Sequence, residues 1–304
     1  MKPINSALKW LIPLIFILAF TAALSGIWPG EGQPYQLTNF RGEQVTINAR
    51  GLYYWDTVSM AAQQQGNDIV TLVVGLPLLA ISTWLALRGS LRGRLLLTGT
   101  LGFFLYTYLS MSMLTAYNAL FLVYVALFTL SLYAFILSML SYDLADLPRH
   151  FSTRLPHGLI AGLLFFVGGF LLLAWLGRIV PPLLQNQTPV LENTTTLVIQ
   201  AMDLGLIVPL AILSGLLLLR RSPWGYLLAS VSIMKFLTMG LAVSTMSINM
   251  ALRGTAESLG IMIPFLVIAL MNVLMTVLLL RNIDSPKDTS TRVRIYEVNR
   301  NPGL

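Results

Sequence analysis

The sequence contains no cysteine, which excludes disulfides, thiolate catalysis, iron–sulfur clusters and cysteine-ligated zinc. Its two histidines, His150 and His157, lie at a predicted helix boundary, which excludes haem held inside the membrane by paired histidines. The apolar runs contain no catalytic constellation of histidine or paired carboxylates, and no G-x-x-x-x-G-K phosphate loop occurs. The sequence therefore predicts no catalytic residue, no metal and no cofactor. It disfavours an enzyme without excluding one.

Charge is also scarce. Only 10% of the 304 residues are charged, 56% are hydrophobic and the mean hydropathy is +0.76. A soluble domain carries about 25% charged residues, so most of this chain's surface is expected to face the lipid bilayer. The formal net charge is +7, but the basic residues lie between the apolar runs and not on one soluble face. No nucleic-acid partner is therefore predicted.

Eight apolar runs have the roughly 20 residues that a helix needs to cross the bilayer. The sequence therefore predicts an all-α integral membrane protein with eight transmembrane helices. The predicted spans are Ala7–Trp28, Ile69–Leu87, Leu95–Ala116, Ala119–Ser141, Leu159–Leu176, Leu197–Leu219, Tyr226–Met250 and Leu259–Leu280.

The basic residues predict the orientation. With the N-terminus inside, fourteen of the 19 lysines and arginines fall in inner segments, Lys235 lies within a span, and four fall outside: Arg41, Arg50, Arg178 and Arg253. This bias predicts a multi-pass protein of the plasma (inner) membrane with cytoplasmic N- and C-termini. The first run also resembles a cleavable signal peptide, and cleavage would leave seven spans. Its length favours a retained helix.

Two outer segments follow from these spans. The first, 29–68, is expected to form a small hairpin around Arg41-Gly42-Glu43 and then a short helix that Gly66 stops. In this interpretation Asn67 or Asp68 caps the second span, and Asp56 also caps a helix. The second outer segment, 180–196, is predicted to be a loop, and the cytoplasmic tail, 282–304, is too short for a domain.

The chain contains an internal repeat at an offset of 132 residues. "LPLLAISTWLALRGSLRGRLL" from Leu76 aligns with "VPLAILSGLLLLRRSPWGYLL" from Val208, which matches Pro77 with Pro209 and Gly93 with Gly225. The repeat predicts two parallel four-helix halves, 1–156 and 157–281, related by an axis along the membrane normal. Shared hydrophobic composition is the alternative explanation.

Two ionisable residues lie inside predicted spans, where charge is costly and usually functional. Asp203 lies ~25 Å and Lys235 ~18 Å from the inner boundary, so an ion pair between adjacent helices is geometrically allowed. Helical phasing adds further polar residues to a candidate ligand-binding seam. The seam comprises Gln200, Asp203, Ser232, Lys235, Thr238 and Asn249, with Tyr106 on the third span. A structural ion pair and a lysine that reaches outward to the membrane surface remain alternatives.

These features favour a small-solute transporter or ligand-binding membrane protein, with a small solute or lipid as ligand. The outer segment leaves a sensor or receptor open, and a non-catalytic subunit of a membrane complex fits as well. A homo-oligomer is also left open.

Overall fold

The structure, a computed structural model, describes residues 5–255 and 262–283. In this part of the chain, eight helices are long and apolar enough to cross a membrane. In chain order they are α1 Leu8–Ile27, α2 Val58–Leu87, α3 Leu91–Leu114, α4 Phe121–Leu140, α5 His157–Leu184, α6 Val198–Leu219, α7 Pro223–Leu252 and α8 Met262–Arg281. The prediction of eight long apolar helices is confirmed. Residues 256–261, which include the start of the predicted eighth span at Leu259, and most of the predicted tail lie outside the described residues.

The hairpin predicted after the first helix is also confirmed. Strands β1 (Tyr35–Thr38) and β2 (Gln44–Ile47) pair antiparallel, with Thr38 opposite Gln44. The turn between them contains Gly42 at a φ of +82°, which glycine adopts without a steric cost. The side-chain oxygen of Asn39 accepts the backbone N–H groups of Arg41 and Glu43, and this closes the turn.

The second helix begins earlier than predicted. It starts at Val58, where the Thr57 hydroxyl accepts the backbone N–H of Met60, and it continues through Gly66 and Asp68 without a break. The predicted stop at Gly66 and the predicted caps at Asn67 and Asp68 are therefore wrong. A Cβ at Gly66 would lie 2.7 Å from the Met246 backbone, so this glycine permits close packing of α2 on α7 and does not end a helix.

The fifth helix ends later than predicted, at Leu184, and includes Pro181 and Pro182. The loop predicted from residue 180 is therefore shorter. The two prolines remove backbone donors only near the end of the helix. The carbonyls left without these donors belong to the exposed residues Gly177 and Arg178, where water can replace the lost donors.

Helices α2 and α6 each contain one π turn, at Thr71–Gly75 and Asp203–Ile207. The two turns begin 132 residues apart, and a proline follows each of them, Pro77 and Pro209. A proline ring within a helix clashes with the carbonyl four residues earlier. The wider π turn provides room for the ring, which explains why proline and π turn occur together.

Helices α3 and α7 are the most buried of the eight and pack against each other in the centre. Glycine allows their close approach. A Cβ at Gly99 of α3 would lie 2.5 Å from the Cβ of Met234 on α7. A Cβ at Gly102, one turn further on, would lie 3.6 Å from the Cγ of Lys235. The sequence thus brings a buried lysine directly against the surface of α3.

Candidate functional site

The centre of the candidate site is the carboxyl group of Asp203, the first residue of the π turn in α6. The Tyr106 hydroxyl on α3 donates to its Oδ1 at 2.6 Å, and the Trp175 Nε1 on α5 donates to its Oδ2 at 2.9 Å. Both oxygens are therefore hydrogen bonded to neutral donors, and three helices meet at one buried carboxyl group.

Lys235 reaches the same tyrosine from α7. Its Nζ lies 4.0 Å from the centroid of the Tyr106 ring and 5.4 Å from that of Phe236. Ammonium groups bind to aromatic faces with energies of about 0.5–2 kcal/mol. Tyr106 therefore contacts both ionisable residues, through its hydroxyl group and through its ring. We call Asp203, Tyr106, Trp175 and Lys235 the central cluster.

The direct ion pair between Asp203 and Lys235 is not formed. Among the described residues, ion pairs connect Arg41 with Glu43 and His150 with Asp146, both outside the central cluster. Asp203 still attracts the Lys235 ammonium electrostatically. The expected pair was derived from the depth of the two residues on α6 and α7 alone, whereas α3 contributes Tyr106, which donates to Asp203 instead.

The backbone at Asp203 is irregular as well. Carbonyls in a π turn are displaced from the regular α-helical pattern, and such turns occur frequently at functional sites. Pro209 also lacks the N–H that would bond to the carbonyl of Gly205. Irregular backbone at membrane depth is tolerated where protein or a water-filled cavity surrounds it, and in this chain it coincides with the buried carboxyl group.

The remaining predicted seam residues lie along α6 and α7, and most bond elsewhere. Gln200 is buried one turn before Asp203. The hydroxyl of Ser232 lies 3.4 Å from that of Ser214, Thr238 donates to the carbonyl of Lys235, and Asn249 donates to the carbonyl of Ala62 on α2. Asn249 is also 14 residues, or ~21 Å, along α7 from Lys235. The structure therefore brings together Tyr106, Asp203 and Lys235, and it places Asn249 near the C-terminal end of α7.

Two buried contacts could not be expected from the sequence, those of Trp175 and Asp68. Trp175 is the single tryptophan of α5, and nothing in its apolar surroundings indicates a hydrogen-bond partner 28 residues away. Asp68 was predicted to cap a helix, but it is buried within α2, where its Oδ2 accepts the Tyr53 hydroxyl at 2.6 Å. The polar run around Asp68 resembles a helix end, and only tertiary packing shows that it is buried.

A third buried carboxyl group lies in the first predicted outer segment, 29–68. Asp56 is 2% exposed, and its Oδ1 accepts the backbone N–H of Ala116 at 3.1 Å. It does not cap α2, so that prediction is wrong. The pKa of Asp56 is raised to about 7, mainly by burial. The Ala116 N–H lowers the pKa and nearby Glu192 raises it, both by less than burial does.

Glu192 also ties the second outer segment to the first. Its carboxylate accepts hydrogen bonds from the hydroxyls of Thr57 and Ser59. Its backbone carbonyl accepts bonds from Asn39 and Arg41 of the hairpin turn. The two predicted outer segments therefore form one connected structure.

No group of three or more histidine, aspartate or glutamate side chains that could hold a metal occurs between residues 5 and 255 or between 262 and 283. Comparison with protein-family models, curated proteins and solved structures finds no similar protein.

Proposed function

We propose that this protein moves a small solute across the plasma (inner) membrane and binds it at the central cluster. The observation that supports this most is the burial of Asp203 and Lys235 within α6 and α7, 7% and 6% exposed, without a direct ion pair. Ionisable residues inside a bilayer cost about 3 kcal/mol or more and mark substrate and proton pathways.

The internal repeat supports transport further. The π turns, the following prolines and the turns at Gly89 and Arg221, both at positive φ, all recur at the offset of 132 residues. We infer that 1–156 and 157–281 are parallel four-helix halves related by an axis along the membrane normal, an arrangement known from transporters. The central cluster then lies where α3 of one half meets α6 and α7 of the other.

The basic residues support the orientation. We propose that both termini are cytoplasmic, because the inner segments contain most of the lysines and arginines. The connected outer segments then face away from the cytoplasm.

Uptake measurements on the purified chain in lipid vesicles test the proposal. The assay uses a panel of labelled organic acids, amino acids and sugars. We expect uptake of at least one panel member, and we expect Asp203→Asn and Lys235→Met each to abolish it. The matched control is Asp143→Asn, which neutralises an exposed carboxylate at the end of α4 and should leave uptake unchanged.

Two results would contradict the proposal. Uptake that survives in both folded variants would remove the central cluster from the transport path. Single variants that fail to fold, together with a double neutral variant that folds, would show that the two residues only stabilise the helices.

A further inference from the structure

Among the residues that the structure describes, none supplies an oxygen acceptor to the Lys235 ammonium. Among the described residues, its contacts are the faces of Tyr106 and Phe236 and a longer-range attraction to Asp203. Yet Lys235 is only 6% exposed. Burying an ammonium without a hydrogen-bonded partner is expensive, because the lost hydration is not replaced. A group that brings oxygen acceptors to Nζ would therefore bind favourably.

Asp203 does not fill this role in the structure, because no ion pair joins it to Lys235 among the described residues and its two oxygens accept from Tyr106 and Trp175. A ligand can supply the acceptor. A carboxylate suits the site, since it combines oxygen acceptors with a charge opposite to that of the ammonium.

An anion bound at Lys235 would also change the charge balance. With Asp203 ionised, the empty cluster is neutral overall, and an added carboxylate would leave a net negative charge buried between helices. Asp203 can remove this charge by taking up a proton, and each of its oxygens can keep its hydrogen bond to Tyr106 or Trp175. Among the described residues, the titratable groups that face it are Tyr106 and Lys235.

We propose that Lys235 binds the carboxylate of a small organic acid and that Asp203 takes up one proton from water as the anion binds. No covalent bond changes, and anion and proton leave together on release. This inference rests on the proposed function and names the substrate class of the same site.

Ligand-induced thermal stabilisation of the purified full chain tests the inference, because a ligand that binds the folded state raises its stability. The probes are acetate, lactate and benzoate, each compared with its neutral amide at constant ionic strength. We expect stabilisation by at least one carboxylate and not by its amide. Kd for that carboxylate should be lower at pH 6 than at pH 8, because binding takes up a proton.

Three variants separate the roles of the two residues. Lys235→Met should weaken carboxylate binding about ten- to a hundredfold. Asp203→Asn imitates the protonated side chain, so it should bind the carboxylate more tightly than the wild type at pH 8 and lose the pH dependence. Asp56→Asn should keep the pH dependence, although Asp56 also titrates near neutral pH, because it lies in the outer segment.

The inference is overturned if no carboxylate stabilises the protein, if acids and amides act equally, or if the Lys235→Met variant binds carboxylates normally. If Lys235→Met does not fold, the Asp203→Asn variant provides the test. Carboxylate binding by Asp203→Asn that is weaker than that of the wild type at pH 8, or that still depends on pH, contradicts the inference. Uptake of neutral solutes would contradict the proposed substrate class but not the proposed transport function. Carboxylate binding without uptake of any solute would contradict the transport function but not the proposed binding site.

Discussion

At the scale of single residues, buried carboxyl groups in this chain have neutral hydrogen-bond donors in place of direct ion pairs. Asp203 is bonded by tyrosine and tryptophan, Asp68 by the Tyr53 hydroxyl, and Asp56 by a backbone N–H. Such neutral donors satisfy oxygen atoms without fixing the charge of the carboxyl group. A buried residue that is held in this way can change its protonation state while its surroundings stay in place.

Asp56 gives a measurable pH dependence of stability. Its folded pKa of about 7 is raised above the ordinary 3.8 by burial. The neutral form therefore favours the folded state fully below pH 3.8, and this advantage is lost as the pH rises toward 7, by about 4 kcal/mol in total. We expect Asp56→Asn, which cannot ionise, to raise the melting temperature above that of the wild type, and by more at pH 8 than at pH 5.

A control variant for this prediction is Glu31→Gln, which neutralises an exposed carboxylate. Its melting curve should follow that of the wild type at each pH. Parallel pH profiles for the wild type and Asp56→Asn would show that Asp56 is ionised in the folded state across the whole range.

At the scale of the helices, the contact between α3 and α7 positions the central cluster, and Gly99 is its closest point. An added methyl group there would lie 2.5 Å from the Met234 Cβ, so the helices would have to move apart. Overpacking of this kind costs about 1–3 kcal/mol. We expect Gly99→Ala to lower the melting temperature and to weaken ligand binding at Lys235.

Gly162 on α5 provides the matched control, because a Cβ there would meet nothing within 4 Å. Gly162→Ala should leave the melting temperature unchanged or raise it slightly, since alanine favours a helix over glycine. Equal effects of the two substitutions would show that α3 and α7 are not closely packed.

The helices themselves could be predicted from the sequence, but the contacts between them could not. The apolar runs predicted the eight helices because a bilayer requires long apolar helices with satisfied backbones. They also placed Asp203 and Lys235 at similar depths. The contact through Tyr106 could not be predicted, because it depends on how α3 is rotated and how closely Gly99 lets it approach. Gly66 was interpreted as a helix stop because the sequence does not distinguish a glycine that permits close helix packing from one that ends a helix.

At the scale of the whole molecule, the two inferred halves differ in charge. At the offset of 132, Asp203 corresponds to Thr71 and Lys235 to Phe103, whose side chains are both fully buried. A π turn and a proline thus occur in both halves, but at these two aligned positions an ionisable side chain occurs only in the second half. We infer that a symmetric scaffold contains one asymmetric site and that one solute binds per chain.

The absence of cysteine makes the proposed orientation directly testable. A single cysteine can be introduced at Gln36 in the hairpin or at Arg88 between α2 and α3, both exposed positions. We expect a membrane-impermeant maleimide to label Gln36→Cys in intact cells and Arg88→Cys only after the cells are permeabilised. The reverse pattern would invert the proposed orientation, and equal labelling of both would contradict the span count between them.

The measurement that tests the central claim most directly is an experimental structure of the full chain in lipid with a saturating carboxylate probe, compared with that of Lys235→Met under the same conditions. Our account predicts density for the probe within hydrogen-bond distance of the Lys235 Nζ and beside Tyr106, and no density there in the variant. Density elsewhere in both proteins, or a direct Asp203–Lys235 ion pair with no bound probe, would contradict it.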